Sequence, residues 1–438
     1  MWFTLQTLDI ALSIVAILSS LGCALFFGYL STTERKAPRF ADSIRQLPEV
    51  AEKSSLTVII TARNEEETIG RCLGSLTSQT YPELEILVVD DSSNDDTCKI
   101  VRDYTAKSPR IRLEEAGAKP EGWVGKSWPC WRGYELSTSE YLLFADADSW
   151  FEPQTVELAM NYMISGGIDV LSISPKIHMS GVWAKAVVPI ITGAINLLYP
   201  MFKVNDRKSN RAYVFGTFIL IKREAYESIG GHAAVREEIV EDAAIGRLAK
   251  TSGKKLRVEI GTEYLTTEWE KKPSSIYNGI ERVASSSIRS YGLLSLLNAV
   301  LLFFVGLYPM IFFLGFAVAL IEGLRLGLVL WIGFVASVLG VALFILLSSM
   351  ELNMIREKVG LAPLLYPLGV AFFLSAIITT SIKVSTGKGI GWKGAKYQQQ
   401  VEETSQTRTR KLRGSFEKFA IGNSSKHKHQ FGLITHPH

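Results

Sequence analysis

Three short polar clusters follow three apolar runs in the first third of this 438-residue chain, and each carries groups able to hold a nucleotide or a cation. In YLLFADADSW, Asp146 and Asp148 stand just past a hydrophobic run, so both carboxylates can reach one divalent cation through hard oxygens. Such a cation would offset charge on a departing diphosphate. A DAD triplet alone is a weak signal, because paired carboxylates also populate solvated turns. In LEILVVDDSSNDD, Asp91 offers an acceptor to a base N–H, while Asp90 reads as a turn residue. Thr61 and Glu65, with Arg63 between them in TARNEE, can contact a base or ribose. Lys126 in GWVGKSW lies on a glycine-flanked loop suited to phosphate oxygens. Further along, Glu237, Glu238, Glu241 and Asp242 offer carboxylates for a general base that deprotonates an acceptor hydroxyl. Asp242 is the candidate and Glu241 its neighbour at a helix start. Carboxylates also favour helix N-termini through the helix dipole, so spacing alone does not choose among the four.

Rigid elements must stand behind these groups. Leu56 to Ala62 is a β-branched run that predicts a strand, followed by an amphipathic helix through Cys72, Leu73 and Leu76. Leu84 to Val89, Ile111 to Leu113 and Tyr141 to Phe144 predict three more strands, and Asn94 or Asp95 is placed to cap the helix after the second. Strands alternating with helices imply an α/β, Rossmann-like domain with a mainly parallel sheet. Ligands bind such sheets at the carboxyl ends of the strands. That puts Thr61 to Glu65, Asp90 to Asp91 and Asp146 to Asp148 at one rim.

The chain ends are of a different character. Ile10 to Leu30 is an uncharged apolar run long enough for a membrane helix, and too long for the core of a cleaved leader. Arg35, Lys36 and Arg39 follow it, which predicts a cytoplasmic central domain. Leu293 to Ile321, Leu326 to Met350 and Leu361 to Ile382 predict about three further spans, the first kinked at Pro309. Three simple spans would carry the basic stretch Lys383, Lys388, Lys393 and Lys396 outside, against the charge rule, so one block is re-entrant or the first holds two elements. Val182 to Phe202 is also apolar and reads as an interfacial or re-entrant element, with a buried core helix as the alternative. The expected division is therefore 1–31 anchor, 32–292 catalytic domain, 293–383 membrane region and 384–438 disordered polar tail. Net charge of +4 is too small to argue for nucleic acid. Cys23, Cys72, Cys98 and Cys130 show neither zinc nor disulfide spacing and read as reduced thiols, and the four histidines of the tail make no convincing metal site.

The ordered set TARNEE, VVDDSSND, GWVGKSW, FADAD and GGH followed by IVED resembles the family-2 glycosyltransferases, over about Leu56 to Gly292. The resemblance implies a GT-A fold, an inverting transfer and Mg2+ or Mn2+. It implies that Asp91 binds the base, Asp146 the ribose side, Asp148 the metal, and that Asp242 is the base. It favours a UDP-sugar donor. WVGKSW, the YESIGGH to EEIVED stretch and WKGAKY look most like the branch of carotenoid-ester, hopanoid-associated and ceramide-type enzymes, hence a lipid-like acceptor at a membrane. The sequence departs from many relatives where Gln/Arg-x-x-Arg-Trp is usual and reads IERVASSSIRSYG instead. Arg282 or Arg289 then supplies the phosphate-facing cation and Tyr291 the aromatic ring. That departure weakens a processive synthase; a polyprenyl-phosphate glycosyltransferase and a silent nucleotide-sugar-binding scaffold are the other readings.

Overall fold

The computed structural model describes residues 2–45, 47, 53–269, 272–291, 293–386, 390–392 and 395–397. The expected disorder and histidines of 398–438, Lys388 and Lys393, and the side chains of Arg289 and Tyr291 lie outside the described residues. Ten strands arise in the central part: β1 (Leu56–Ala62), β2 (Leu84–Asp90), β3 (Ile111–Glu115), β4 (Tyr141–Asp146), β5 (Ser149–Phe151), β6 (Val170–Ser174), β7 (Lys176–His178), β8 (Ile219–Lys222), β9 (Leu256–Ile260) and β10 (Leu265–Glu268). Seven of them form one sheet in the order β3-β2-β1-β4-β8-β6-β9. Only β8 runs against its neighbours β4 and β6; every other described pairing in this sheet is parallel. The result is a mainly parallel sheet. Its central strands are buried on both faces, which is why they read as continuous apolar runs rather than alternating ones.

Helices cover both faces. Ile69, Cys72, Leu73 and Leu76 repeat at helical spacing and bury one stripe of the helix Ile69–Thr77. On the other face, the helix Ser127–Leu136 lies so close to β1 that a Cβ built on Gly133 would sit 2.3 Å from Ile59 Cγ2. Only glycine permits this approach, and it fixes the helix whose N-terminal end carries Lys126. A second sheet, β5-β10-β7, caps the end of β4.

Among the described residues, five helices are long and apolar enough to cross a membrane: Gln6–Lys36, Val182–Asn205, Ser295–Ile321, Leu328–Met354 and Ala362–Ser385. The N-terminal helix, Trp2–Lys36, extends beyond the predicted run and lies along Leu328–Met354. Built Cβ atoms on Gly333 and Gly340 would approach Ser13 Oγ to 2.9 Å and Ser20 Oγ to 2.7 Å, the close small-residue packing expected where no hydrophobic drive separates helices from lipid. The long first block holds two helical elements, Leu293–Gly306 and Tyr308–Ile321, with Pro309 in the first turn of the second, which together make one membrane-length stretch, Ser295–Ile321.

Val182–Leu198 departs from the interfacial expectation. Val187, Val188 and Ile190 are buried rather than presented to an interface. The backbone of Ala186 touches Gly369, where a built Cβ would stand 1.9 Å from Ala186 O. Asn196 Nδ2 donates to Glu351 Oε2 at 3.1 Å. Apolarity alone does not distinguish a lipid-facing surface from one packed on protein, and here one face of the helix packs on protein while Val182, Leu197 and Leu198 stay exposed. At the sheet edge, Ile260 N–H donates to Pro38 O at 2.9 Å, so the chain leaving the N-terminal helix closes β9. Within the predicted disordered tail, Ile390–Trp392 pairs antiparallel with Ala395–Tyr397.

Candidate active site

The strand register gathers the rim. Thr61 at the end of β1 is paired with Asp146 at the end of β4, and Ala62 is paired with Asp90 at the end of β2. The two loops that follow β1 and β2 interlock. Asn64 N–H donates to Ser93 Oγ at 2.9 Å, Asn94 N–H to Asn64 Oδ1 at 2.8 Å, and Glu66 N–H to Asp95 Oδ2 at 3.1 Å. This lattice holds Asn64 at φ 55° and Ser92 at φ 64°, left-handed conformations that cost energy and persist only where the surroundings fix them. Asp95 also accepts the Thr97 N–H at 3.0 Å, so it satisfies the first turn of the helix Thr97–Thr105. Asp90 accepts the Ser93 N–H at 3.1 Å, a turn contact.

Asp91 sits between two cations, Arg63 Nη1 and Lys119 Nζ, each 3.5 Å from its Oδ2. Glu65 accepts from Thr68 Oγ1 at 3.0 Å, and its own N–H donates to Thr97 Oγ1 at 2.7 Å. Asp146 closes β4, and Asp148 lies in the turn that leads into β5. Thr267 Oγ1, on β10, donates to Asp148 Oδ1 at 3.1 Å. Burial first, then the negative charges of Asp146 and Glu65, push Asp148 up to about 8. That accumulation of carboxylate charge is what a cation relieves. Among the described residues, no group of three or more His, Cys, Asp or Glu side chains is arranged to ligate a metal.

Lys126 was expected at phosphate; in the structure its ammonium pairs with Asp146 Oδ1. Burial opposes its charge, yet Asp146, the Cys130 thiol and Glu241 together hold it above the usual lysine range. Its loop is fixed by Val124 N–H donating to Arg236 O at 2.8 Å, which ties it to the segment before Asp242.

Glu241 and Asp242 occupy the first turn of the helix Glu241–Thr251. Burial and then Asp242 raise Glu241 to about 7. Asp242 is also raised, by burial, while the Ala243 N–H at 2.6 Å and the charge of Arg282 oppose the rise. Arg282, on the helix Pro273–Tyr291, acts on both carboxylates. Glu237 instead faces solvent beside Arg236, 3.7 Å away. His232 of the GGH motif is buried beside Lys126 and pushed down to about 3 by that burial, so it is a neutral ring; Tyr226 Oη lies 2.8 Å from its Nδ1.

The structure thus brings Asp146, Asp148, Lys126, Glu241, Asp242 and Arg282 into one electrostatic unit, with Asp91, Arg63 and Lys119 grouped beside it. The sequence reading missed Lys119 and Thr267. Lys119 has a faint signal, seven residues before Lys126 in the same glycine-rich loop. Thr267 has none, because it arrives from a strand about 120 residues downstream.

A mainly parallel sheet thus carries acidic and basic groups at its carboxyl rim, and helices long and apolar enough to cross a membrane precede and follow it. Residues 57–230 match the model of glycosyl transferase family 2. The 4,4'-diaponeurosporenoate glycosyltransferase of Staphylococcus aureus strain bovine RF122 / ET3-1 is 31% identical over 194 residues, covering 44% of this chain and 50% of that protein. The protein of the same description from strain USA300 is 30% identical over the same length. The chain thus spans about half the length of these curated relatives. Among solved structures, a mannosyltransferase from Pyrobaculum calidifontis in complex with GDP-Man and Mn2+ aligns with 84% of this chain and 98% of that chain at a TM-score of 0.48 and 16% identity. At that score the alignment establishes neither ligand nor mechanism.

Proposed function

We propose that the protein is a membrane-bound inverting glycosyltransferase that moves a sugar from a nucleotide-sugar, with UDP favoured, to a lipid-like acceptor at the cytoplasmic membrane face. The observation that carries this reading is the strand register that sets Thr61, Asp90 and Asp146 at one carboxyl rim, with Lys126 paired to Asp146 there. The relatives' description as glycosyltransferases of a carotenoid acid supports the acceptor class.

In this reading Asp91 accepts from the base, with Arg63 and Lys119 orienting it, and Thr61 and Glu65 border the nucleoside. Asp146 and Asp148 hold Mg2+ or Mn2+, which when bound would offset negative charge on the diphosphate. The acceptor oxygen attacks the anomeric carbon as the bond to the nucleoside diphosphate breaks. Its proton passes to Asp242, and the displaced diphosphate keeps the bonding pair. Lys126 and Arg282 face the charge that develops on the leaving group. Burial and the partial neutrality of Glu241 limit competing charge beside the base. Arg35, Lys36 and Arg39 at the end of the N-terminal helix support a cytoplasmic site. Residues 32–292 form the catalytic part and 293–383 the C-terminal membrane part.

The test uses the full chain in nanodiscs of bacterial lipid with Mg2+ or Mn2+ and a panel of UDP-, GDP- and TDP-sugars, with glycolipids detected by mass spectrometry. A metal-dependent glycolipid that falls by about 100-fold or more in Asp242→Asn is expected, the usual range for loss of a general base. Donor binding with no product from any lipid would support the silent scaffold instead, and products of rising length a polymer synthase.

A further inference from the structure

The segment Tyr213–Gly216 runs alongside the first turns of the helix that carries Asp242. A Cβ built on Gly216 would stand 2.9 Å from Asp242 Oδ2, and one built on Gly246 would stand 3.1 Å from Val214 Cγ1 and 3.4 Å from the carbonyl carbon of Tyr213. The two contacts fix the direction: Gly216 lies at the carboxylate and Tyr213 about one helical turn further along. The glycine leaves room for the Asp242 carboxylate to lie against this segment, a space that any other residue's side chain would crowd.

From that space an aromatic surface leads away. The Tyr213 ring meets Phe215 edge-on at 5.1 Å and stacks on Tyr199 at 5.6 Å and 25°. All three rings are half-buried: their backs pack against the core that contains Val214 and Ile245, and part of each remains open. Tyr199 follows directly on the helix Val182–Leu198, whose buried face meets the membrane helices through Asn196 on Glu351 and Gly193 beside Leu30. The aromatic surface is therefore continuous with membrane-embedded protein at one end and with the Asp242 carboxylate at the other.

We propose that Tyr199, Tyr213 and Phe215 form the acceptor subsite, holding the apolar chain of the acceptor so that its terminal oxygen lies at Asp242. This rests on the glycosyltransferase reading above. The occupant is a long apolar chain ending in one nucleophilic oxygen, either an alcohol or a carboxylic acid. Aromatic faces suit such a chain, since they give a large contact area with few rotatable bonds.

The experiment uses the full chain in nanodiscs with the nucleotide-sugar that the wild type turns over, and two acceptors of equal length, a long-chain alcohol and a long-chain polyene acid. Tyr213→Ala and Tyr199→Ala are expected to raise the acceptor KM about tenfold, a change of about 1.4 kcal/mol, while the donor KM moves less than twofold. Tyr213→Phe, which keeps the ring, should recover most of the loss. A photoreactive diazirine analogue of the preferred acceptor should label the segment 199–216, which reads occupancy independently of turnover. The alcohol and acid arms identify which terminal oxygen is used. An unchanged acceptor KM in both alanine variants, donor and acceptor constants rising together, or label placed elsewhere would overturn the subsite. A wild type that turns over no nucleotide-sugar at all would overturn the functional reading beneath it, a different result from any of these.

Discussion

Gly216 and Asp242 show how little space separates a working carboxylate from a blocked one. Gly216→Ala would place a methyl group 2.9 Å from Asp242 Oδ2. That oxygen is the end of a side chain and can rotate away, so the expected thermal shift is small while glycosyl transfer falls at least tenfold. Equal losses of folding and turnover would mean that the glycine serves the backbone instead. Glu241 offers a second test. Its folded-state pKa of about 7 is raised above the ordinary value of 4.5, so its contribution to stability is fully present below pH 4.5 and is lost as pH rises through 7. Glu241→Gln removes that loss, so the Tm of the variant relative to wild type should climb between pH 5 and pH 8. A difference that stays flat across this range would refute the assigned environment. At this scale the places of Asp91, Asp146 and Asp148 at strand ends were legible because each follows an apolar run, whereas spacing did not separate Asp242 from three neighbouring carboxylates. Lys119, Thr267 and Tyr213 were not, because their roles depend on contacts that only the tertiary fold creates.

The helix Val182–Leu198 and its partner at Gly369 carry the lesson for elements. A built Cβ on Gly369 lies 1.9 Å from the backbone oxygen of Ala186, and no rotamer change relieves a backbone clash. Gly369→Ala should therefore lower stability in detergent by about 1–3 kcal/mol, the usual cost of overpacking. Gly315→Ala, where nothing lies within 4 Å of the built Cβ, should leave the melting curve in place. Equal melting temperatures for the two variants would show that the helices do not pack as described. The first four strands were legible as β-branched or apolar runs bounded by polar loops. β6, β8 and β9 went unread: ILIK and LRVEI are four- and five-residue strands among helical stretches, too short for periodicity to assign. The same limit misplaced Val187 and Ile190, since a hydrophobic side chain records the need for burial and not the identity of its cover.

Across the whole molecule, the N-terminal helix is more than a tether. Ser13, Ser20, Cys23 and Leu30 are buried, Cys23 Sγ donates to Val305 O at 2.9 Å, and Pro38 closes the β9 edge. A chain lacking residues 2–36 should aggregate in a detergent that keeps the full chain monodisperse on size-exclusion chromatography, because it bares the apolar face of Leu328–Met354 that the first helix covers. A monodisperse truncated protein that still binds nucleotide-sugar would reduce the helix to an anchor. The pairing of the N-terminal helix with Leu328–Met354 also orders events during synthesis. The first helix leaves the ribosome about 300 residues before the helix it lies against, a wait of roughly 15–60 s at 5–20 residues per second. Through that interval its serine-lined face has only lipid, the insertion machinery or a chaperone for company. Nascent chains halted before residue 328 should accordingly expose that face to cysteine-directed crosslinkers, and chains halted after 354 should protect it.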